Sequence, residues 1–286
     1  MSTCEKNRYM QGHRIAMIRT PVIIPLIIIL LFGCLFTGSA AADQVNLSGL
    51  DLLNRVSSSL SDTLDEVDNN ISETAGVFSG ETLKTASAEK IISKNRMNIP
   101  GWAGVVLVAG NTTLSSLNES YVSQNQIPGI TSDPSVLNVI KVLKPRTSNA
   151  TPREDGDHMI LISRPAVVDD QNGAAIAVLL TDPFCSAVIG PMVNGTDAIA
   201  MVMQPDRKIL YMSDSSEEDK IPPDNYLTEY PTFRDVKNAM MNEKEGSISY
   251  ELWRPDPTEP KGREAYWNTI NLNGAEWRVL IAQAIR

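Results

Sequence analysis

Residues 265–285 read AYWNTINLNGAEWRVLIAQAI, and the two-residue alternation on either side of Asn273-Gly274 decides how the chain must fold. Asn-Gly supplies the positive φ values of a two-residue hairpin turn. With that turn, Leu272 faces Ala275, Ile270 faces Trp277, Asn268 faces Val279 and Tyr266 faces Ile281. This face is largely apolar and is expected in the core. The opposite face pairs Asn271 with Glu276, Thr269 with Arg278 and Trp267 with Leu280. Its polar end is read as solvated, with the lining of a cleft as the alternative.

Upstream, the same kind of signal recurs. Trp102–Ala109 and Thr112–Leu114 flank Gly110-Asn111 and form a first hairpin. Met159–Val168 and Ala174–Leu180 flank the turn cluster Asp169 to Gly173, which ends in a second Asn-Gly pair. Ala198–Met203 and Lys208–Met212 flank the turn Gln204 to Arg207. Between these lie helical spacings. One runs from Ser132 to Leu143, capped by Asp133 or Ser132 and stopped by Pro145. One runs from Asp182, read as the cap with Pro183 in the first turn, to Met192, and one from Thr232 to Met241. Ser247–Trp253 adds a strand. Hairpin, helix and strands thus occur twice in the same order, which suggests a duplicated unit. The fold class expected is α+β, with two antiparallel sheets and flanking helices.

Ahead of the sheets, Leu53, Val56, Leu60, Leu64, Val67 and Ile71 advance by three or four residues at each step, the spacing of a straight amphipathic helix packed on a globular body. Ser57, Asp62, Asp65, Glu66 and Asp68 are read as its solvated faces. A second helix is expected from Glu81 to Asn95. Together they make a helical stalk over 43–98.

Pro21 to Ala42, PVIIPLIIILLFGCLFTGSAAA, is apolar for about 20 residues, enough for one helical crossing. The tail 1–20 carries Lys6, Arg8, Arg14 and Arg19 against Glu5, which places it in the cytoplasm and the rest outside. Three fates fit these letters: a retained anchor, a cleaved signal segment, or lipidation at Cys34. The whole chain carries −9 and the segment to Ala42 carries 4 − 1 = +3, so the part after Ala42 carries −9 − 3 = −12, and so acidic a surface excludes nucleic acid as a partner. Asn46, Asn70, Asn111, Asn118, Asn149 and Asn194 each begin an Asn-x-Ser/Thr site, as in a glycosylated surface protein. Cys185 stands alone beyond the apolar run, so no disulfide framework is available there.

In order along the chain, the long helix, ISRPAVVDDQNGAAIAVLLTDP, MVMQPDRKILYMSD, EYPTFRDVKNAMMNEKEGSISYELW and EAYWNTINLNGAEWRVLIA resemble the double Cache (PAS-like) domains of extracytoplasmic sensors. The likeness is strongest after Ile160 and is nearest to stand-alone archaeal members behind a single anchor. The resemblance implies a membrane-distal Cache unit over 99–195 and a membrane-proximal one over 196–286. It also implies sensing of a small solute, such as an organic acid, in the distal unit. Arg164 is then a candidate to fork onto a ligand carboxylate, with Tyr121, Arg146, Ser148 and Asp182 completing a polar lining. The alternative for Arg164 is a salt bridge within the chain. Two departures stand out: Asp206-Arg207 replaces a usual Asp-Gly turn, and the Tyr/Arg/Trp run that marks amino-acid-binding members is missing.

Catalytic candidates are few. His13 lies in the inner tail, and His158, at the entrance of a strand, reads as structural. Cys185 reads as a buried apolar residue, and Tyr211, Tyr250, Tyr266 and Trp267 as core. Asp155/Asp157, Asp169/Asp170 and the run Asp214 to Asp219 sit in turn-rich sequence and read as solvated loops. No phosphate-binding, dinucleotide or HExxH motif is present, and no catalytic residue, metal or cofactor is expected. The expectation is a tethered small-molecule sensor without enzymatic activity or an output segment. It would act as a homodimer or through a separate signalling protein. A cell-surface structural protein without a working pocket is the alternative.

Overall fold

The computed structural model describes residues 48–79, 97–153, 156–213, 231–252 and 261–285. The first sheet contains β1 (Trp102–Ala109), β2 (Thr112–Leu117), β3 (Arg146–Thr147), β4 (Thr151–Pro152), β5 (His158–Val168) and β6 (Gln171–Leu180). Its order is β2-β1-β6-β5-β3, with β4 also paired to β5. The second sheet contains β7 (Ile199–Met203), β8 (Ile209–Met212), β9 (Gly246–Leu252), β10 (Lys261–Leu272) and β11 (Ala275–Ala284). Its order, β8-β7-β11-β10-β9, repeats that of the first sheet. The duplication suggested by the spacing is therefore present in the strand topology.

The closing hairpin has the register read from its sequence, from Leu272 opposite Ala275 to Tyr266 opposite Ile281. Asn273 and Gly274 have φ of 48° and 90°, as a two-residue turn requires. The other face of this hairpin is covered around Trp267 and Arg278, while Asn271 at its polar end is exposed as expected. Helix α5 (Pro231–Asn242) lies over the covered part, and the indole of Trp267 donates to Glu243 O at 3.2 Å. Arg278, only 4% exposed, donates through Nε to Met240 O at 3.0 Å. The free carbonyls at the end of the helix take these donors, so the polar residues are satisfied without water.

Helix α1, Gly49–Ser79, supplies the surface on which both sheets close. It packs on β5 and β6 of the first sheet and on β10 and β11 of the second. The expected stripe from Leu53 to Ile71 is at most 3% exposed throughout and belongs to a core shared by both sheets. Two residues assigned to a solvated face are in fact buried. Ser57 donates to Asn268 Oδ1 at 2.7 Å, and Asp68 meets Arg164 and Asn273. A helix flanked by two sheets buries a wider arc than one stripe, so polar residues beside the stripe acquire partners on the strands.

The second hairpin turns within the expected cluster, at its start and not at Asn172-Gly173. Asp169 and Asp170 take φ of 49° and 61° and form the turn between β5 and β6, while Asn172 and Gly173 are inside β6. Gly173 is needed there for another reason: a Cβ would lie 2.3 Å from Val108 O on the neighbouring strand. Asp170, which tolerates the left-handed region, releases Asn-Gly from turn duty. At the third hairpin, where Asp206-Arg207 stands in place of Asp-Gly, the positive φ falls on Arg207, at 75°.

Between β2 and β3 lie a 3-10 turn (Gln124–Gln126), α2 (Ile127–Thr131) and α3 (Pro134–Val142). Asp133 caps α3 by accepting from Ser135 N at 2.8 Å. Helix α4, Thr181–Val193, links the sheets, and its N-cap is Leu180, not Asp182. Asp157 serves it instead, accepting from the Asp182 N–H at 3.2 Å. Among the described residues no helix is long and apolar enough to cross a membrane. The apolar run 21–42 with Cys34, the site at Asn46, the helix expected over 81–95, Asp155 and the acidic run 214–219 lie outside the described residues.

Candidate functional site

Each sheet has one face on α1 and one outer face covered by its own helices. On the first sheet, alternation sends Val106, Leu161, Ile176 and Val178 outward, where they meet Val122, Ile130 and, from α3, Val136 and Val139. All eight are at most 2% exposed. Within this apolar layer Ser163 Oγ on β5 has no hydrogen-bond partner among the described residues, and neither has the buried Asn138 Oδ1 on α3. Ser163 is fully buried. A buried acceptor left unpaired costs free energy that a bound polar group would recover. Neither residue was singled out from the sequence. The signal was a Ser on the same face as Leu161 and Met159, in a strand otherwise apolar on that side.

The residues expected to line a site are dispersed. Tyr121 is half-buried against this outer layer. Ser148 is buried at the sheet edge, where its Oγ accepts from Leu161 N at 2.9 Å and its N–H donates to Leu161 O at 2.9 Å. Arg146 pairs with Ser163 in register, but its Nη1 reaches the far turn, 2.8 Å from where a Cβ on Gly274 would stand. Arg164 is on the opposite face from Ser163. Its Nε donates to Asp68 Oδ1 at 2.8 Å and its Nη2 donates to Asp68 Oδ2. Asn273 Nδ2 donates to the same Oδ1 at 2.8 Å, and Thr147 N donates to Asn273 O at 3.3 Å. The two arginines thus converge on the turn of the second sheet, where both sheets and α1 meet.

Asp182 is exposed in the first turn of α4, at the other end of β5, where Asp157, His158 and Lys208 also gather. Burial and then the charge of Asp157 hold its carboxyl above the usual range. Burial and then Lys208 push the imidazole of His158 down. Burial first, then Cys185 and Asp182, pushes the phenol of Tyr211 up to about 12. Burial holds the Cys185 thiol far above its ordinary value. A thiol kept protonated is neither a nucleophile nor a metal ligand.

No family model matches this chain, and no curated protein matches it. Solved structures do. An extracellular ligand binding receptor from Desulfohalobium retbaense is 16% identical over 83% of this chain, with a TM-score of 0.61; the match spans 40% of that longer chain. The ligand-binding domain of the Pseudomonas aeruginosa chemoreceptor PctB, in complex with L-Arg, is 14% identical over 82% of this chain and 93% of its own, with a TM-score of 0.56. The sensory domain of the Campylobacter jejuni chemoreceptor Tlp3 with isoleucine bound is 12% identical over 82% and 91%, with a TM-score of 0.58. The chain has the double Cache fold.

In that fold the two sheets are the two PAS-like units, each with an outer face beneath its own helices. The first Cache unit presents Ser163 on that face and carries Asn138 on the helix above it. Tyr211, Tyr250 and Trp267 of the second are at most 6% exposed and Tyr266 packs on the shared core, so these aromatics are core, as expected. Asn111, Asn118, Asn149 and Asn194 are exposed, whereas Asn70 is half-buried within α1 with its Oδ1 unpartnered and inaccessible.

Proposed function

We propose that this chain is an extracytoplasmic small-molecule-binding sensory protein of double Cache type, held to the membrane by residues 21–42 and reporting through a separate signalling protein. Residues 99–195 form the membrane-distal unit in this reading, and 196–286 the proximal one. The ligand lies between α3 and the outer face of the first sheet. The observation that carries the reading is Ser163 Oγ, fully buried and unpartnered in an otherwise apolar layer, with a second unpartnered atom, Asn138 Oδ1, on the helix above it. The sensor domains with this fold include ones solved with L-Arg, isoleucine and GABA. A polar solute with an apolar body, such as a small organic acid, suits a layer of this composition.

Within this reading Arg164 braces the two units through Asp68, and ligand binding shifts the populations of arrangements that this brace permits. A second reading, a surface structural protein with no working pocket, is favoured by the close aliphatic packing of the same layer. A thermal-shift panel of organic acids, amino acids, amines and purines on the full chain separates them. Sensing predicts a concentration-dependent rise in melting temperature for at least one class, lost in Ser163→Val with Asn138→Leu. A flat response across the panel favours the structural reading.

A further inference from the structure

The second unit contains a buried cation with no counter-charge among the described residues. Arg263, on β10, is 7% exposed and pairs in register with Tyr250 and Ala284, which puts it on the outer, helix-covered face of its sheet. Its Nη1 donates only to main-chain oxygens, Asp197 O at 3.0 Å and Ala282 O at 3.5 Å. Its Nε is buried and has no partner. No carboxylate pairs with this guanidinium among the described residues. A buried charge in that condition is costly unless an anion joins it.

Beside it is an open cleft of about 240 Å³ where α4 hands over to β7, lined by Asn194, Thr196, Asp197, Ser213 and Arg263 among others. Arg263 is committed to the protein on its Nη1 side, which leaves the Nε–Nη2 edge without an acceptor among the described residues. That edge presents two parallel N–H groups at the spacing of a carboxylate. It is also the edge by which Arg164 grips Asp68. Asn194 and Ser213 add polar groups at the wall. Asp197 gives Arg263 only its main-chain oxygen, and its side chain is at an exposed position.

We infer that this cleft is a second binding site, in the second Cache unit, that takes a small carboxylate anion through the free edge of Arg263. The site is separate from the one proposed in the first unit and does not depend on it. The test titrates the full chain, purified in detergent, with sodium acetate, lactate and succinate, each against equal sodium chloride and against acetamide. At least one carboxylate should raise the melting temperature in a concentration-dependent way, and acetamide should not. Arg263→Lys keeps the charge and loses the fork, and should weaken apparent affinity about tenfold, the worth of one charge-assisted hydrogen bond. Asn194→Asp, at an exposed position on the cleft wall, should weaken it in the same direction and leaves the Arg263 guanidinium in place. It therefore decides the matter if Arg263→Lys fails to fold. The combined Ser163→Val and Asn138→Leu variant should retain the response. The inference is overturned if no carboxylate acts differently from chloride. It is equally overturned if the wild-type response survives Asn194→Asp, or is lost only in the Ser163 and Asn138 variant.

Discussion

Arg164 holds Asp68 by a two-point fork, Nε to Oδ1 at 2.8 Å and Nη2 to Oδ2. The same carboxylate accepts from Asn273 at 2.8 Å, so one side chain of α1 ties a strand of the first sheet to the turn of the second. Asp68→Ala should strip the charge partner from Arg164, whose side chain is only 24% exposed. The expected loss is about 2–3 kcal/mol, below the cost of breaking a fully buried pair because the guanidinium keeps some water. Urea unfolding measures it. Replacing both residues, Asp68→Leu with Arg164→Met, should recover most of the loss, since neither charge is then stranded.

The spine of α1 should be more sensitive still. Leu60 is fully buried in the core that both sheets share. Leu60→Ala should cost roughly 3 kcal/mol through lost burial and the cavity left behind. Because one core serves both units, urea unfolding should remain a single transition in the variant. Two separated transitions would mean that the units are stabilised independently.

Two groups near the start of α4 make stability depend on pH in opposite senses. The imidazole of His158 is held below its ordinary 6.5 by burial and by Lys208. Its contribution is therefore present above 6.5 and is lost as pH falls through the lower folded value. His158→Gln should flatten that acid-side decline. The carboxyl of Asp182 is held above its ordinary 3.8 by burial and by Asp157. Its contribution is present below 3.8 and is lost as pH rises through the higher folded value, so the charged form burdens the fold at neutral pH. Asp182→Asn should raise the melting temperature at pH 7, and the gain should shrink as pH approaches 4. Melting curves across pH check both signs.

Cys185 is fully buried, with a thiol held far above its ordinary pKa by that burial. In a Cys4→Ser, Cys34→Ser background it should resist maleimide in the native state and react only as the chain unfolds. Its labelling rate should therefore follow the urea dependence of global unfolding.

In a host that glycosylates, occupancy should divide by geometry. Asn111, Asn118, Asn149 and Asn194 are exposed and should be modified, while Asn70, inside α1 with its Oδ1 buried, should remain bare. Peptide mass spectrometry reads each site.

Local patterns were legible where the deciding neighbours are close in sequence. The register around Asn273-Gly274 and the stripe from Leu53 to Ile71 follow from periods of two and of three to four residues, and both are present in the structure. The second turn falls at Asp169-Asp170, at the start of the expected cluster, although Asn172-Gly173 is the stronger local turn signal. Only the approach of Val108 O, on a strand more than sixty residues earlier in the chain, explains why that Gly is required. Arg164 shows the same limit. Alternation places it opposite Ser163, but nothing near it in sequence reveals that the face it takes is covered by α1 and answered by Asp68. Ser163, Asn138 and Arg263 become conspicuous only once their missing partners can be seen, because an unsatisfied atom is a property of three-dimensional surroundings.

The most direct test of the account is hydrogen exchange of the full chain with and without a ligand identified in the thermal-shift panel. Binding beneath α3 predicts added protection in residues 134–142 and along β5 and β6, reduced in Ser163→Val with Asn138→Leu. Protection absent from those elements, or a panel that yields no ligand, would contradict the proposed site and with it the sensory reading.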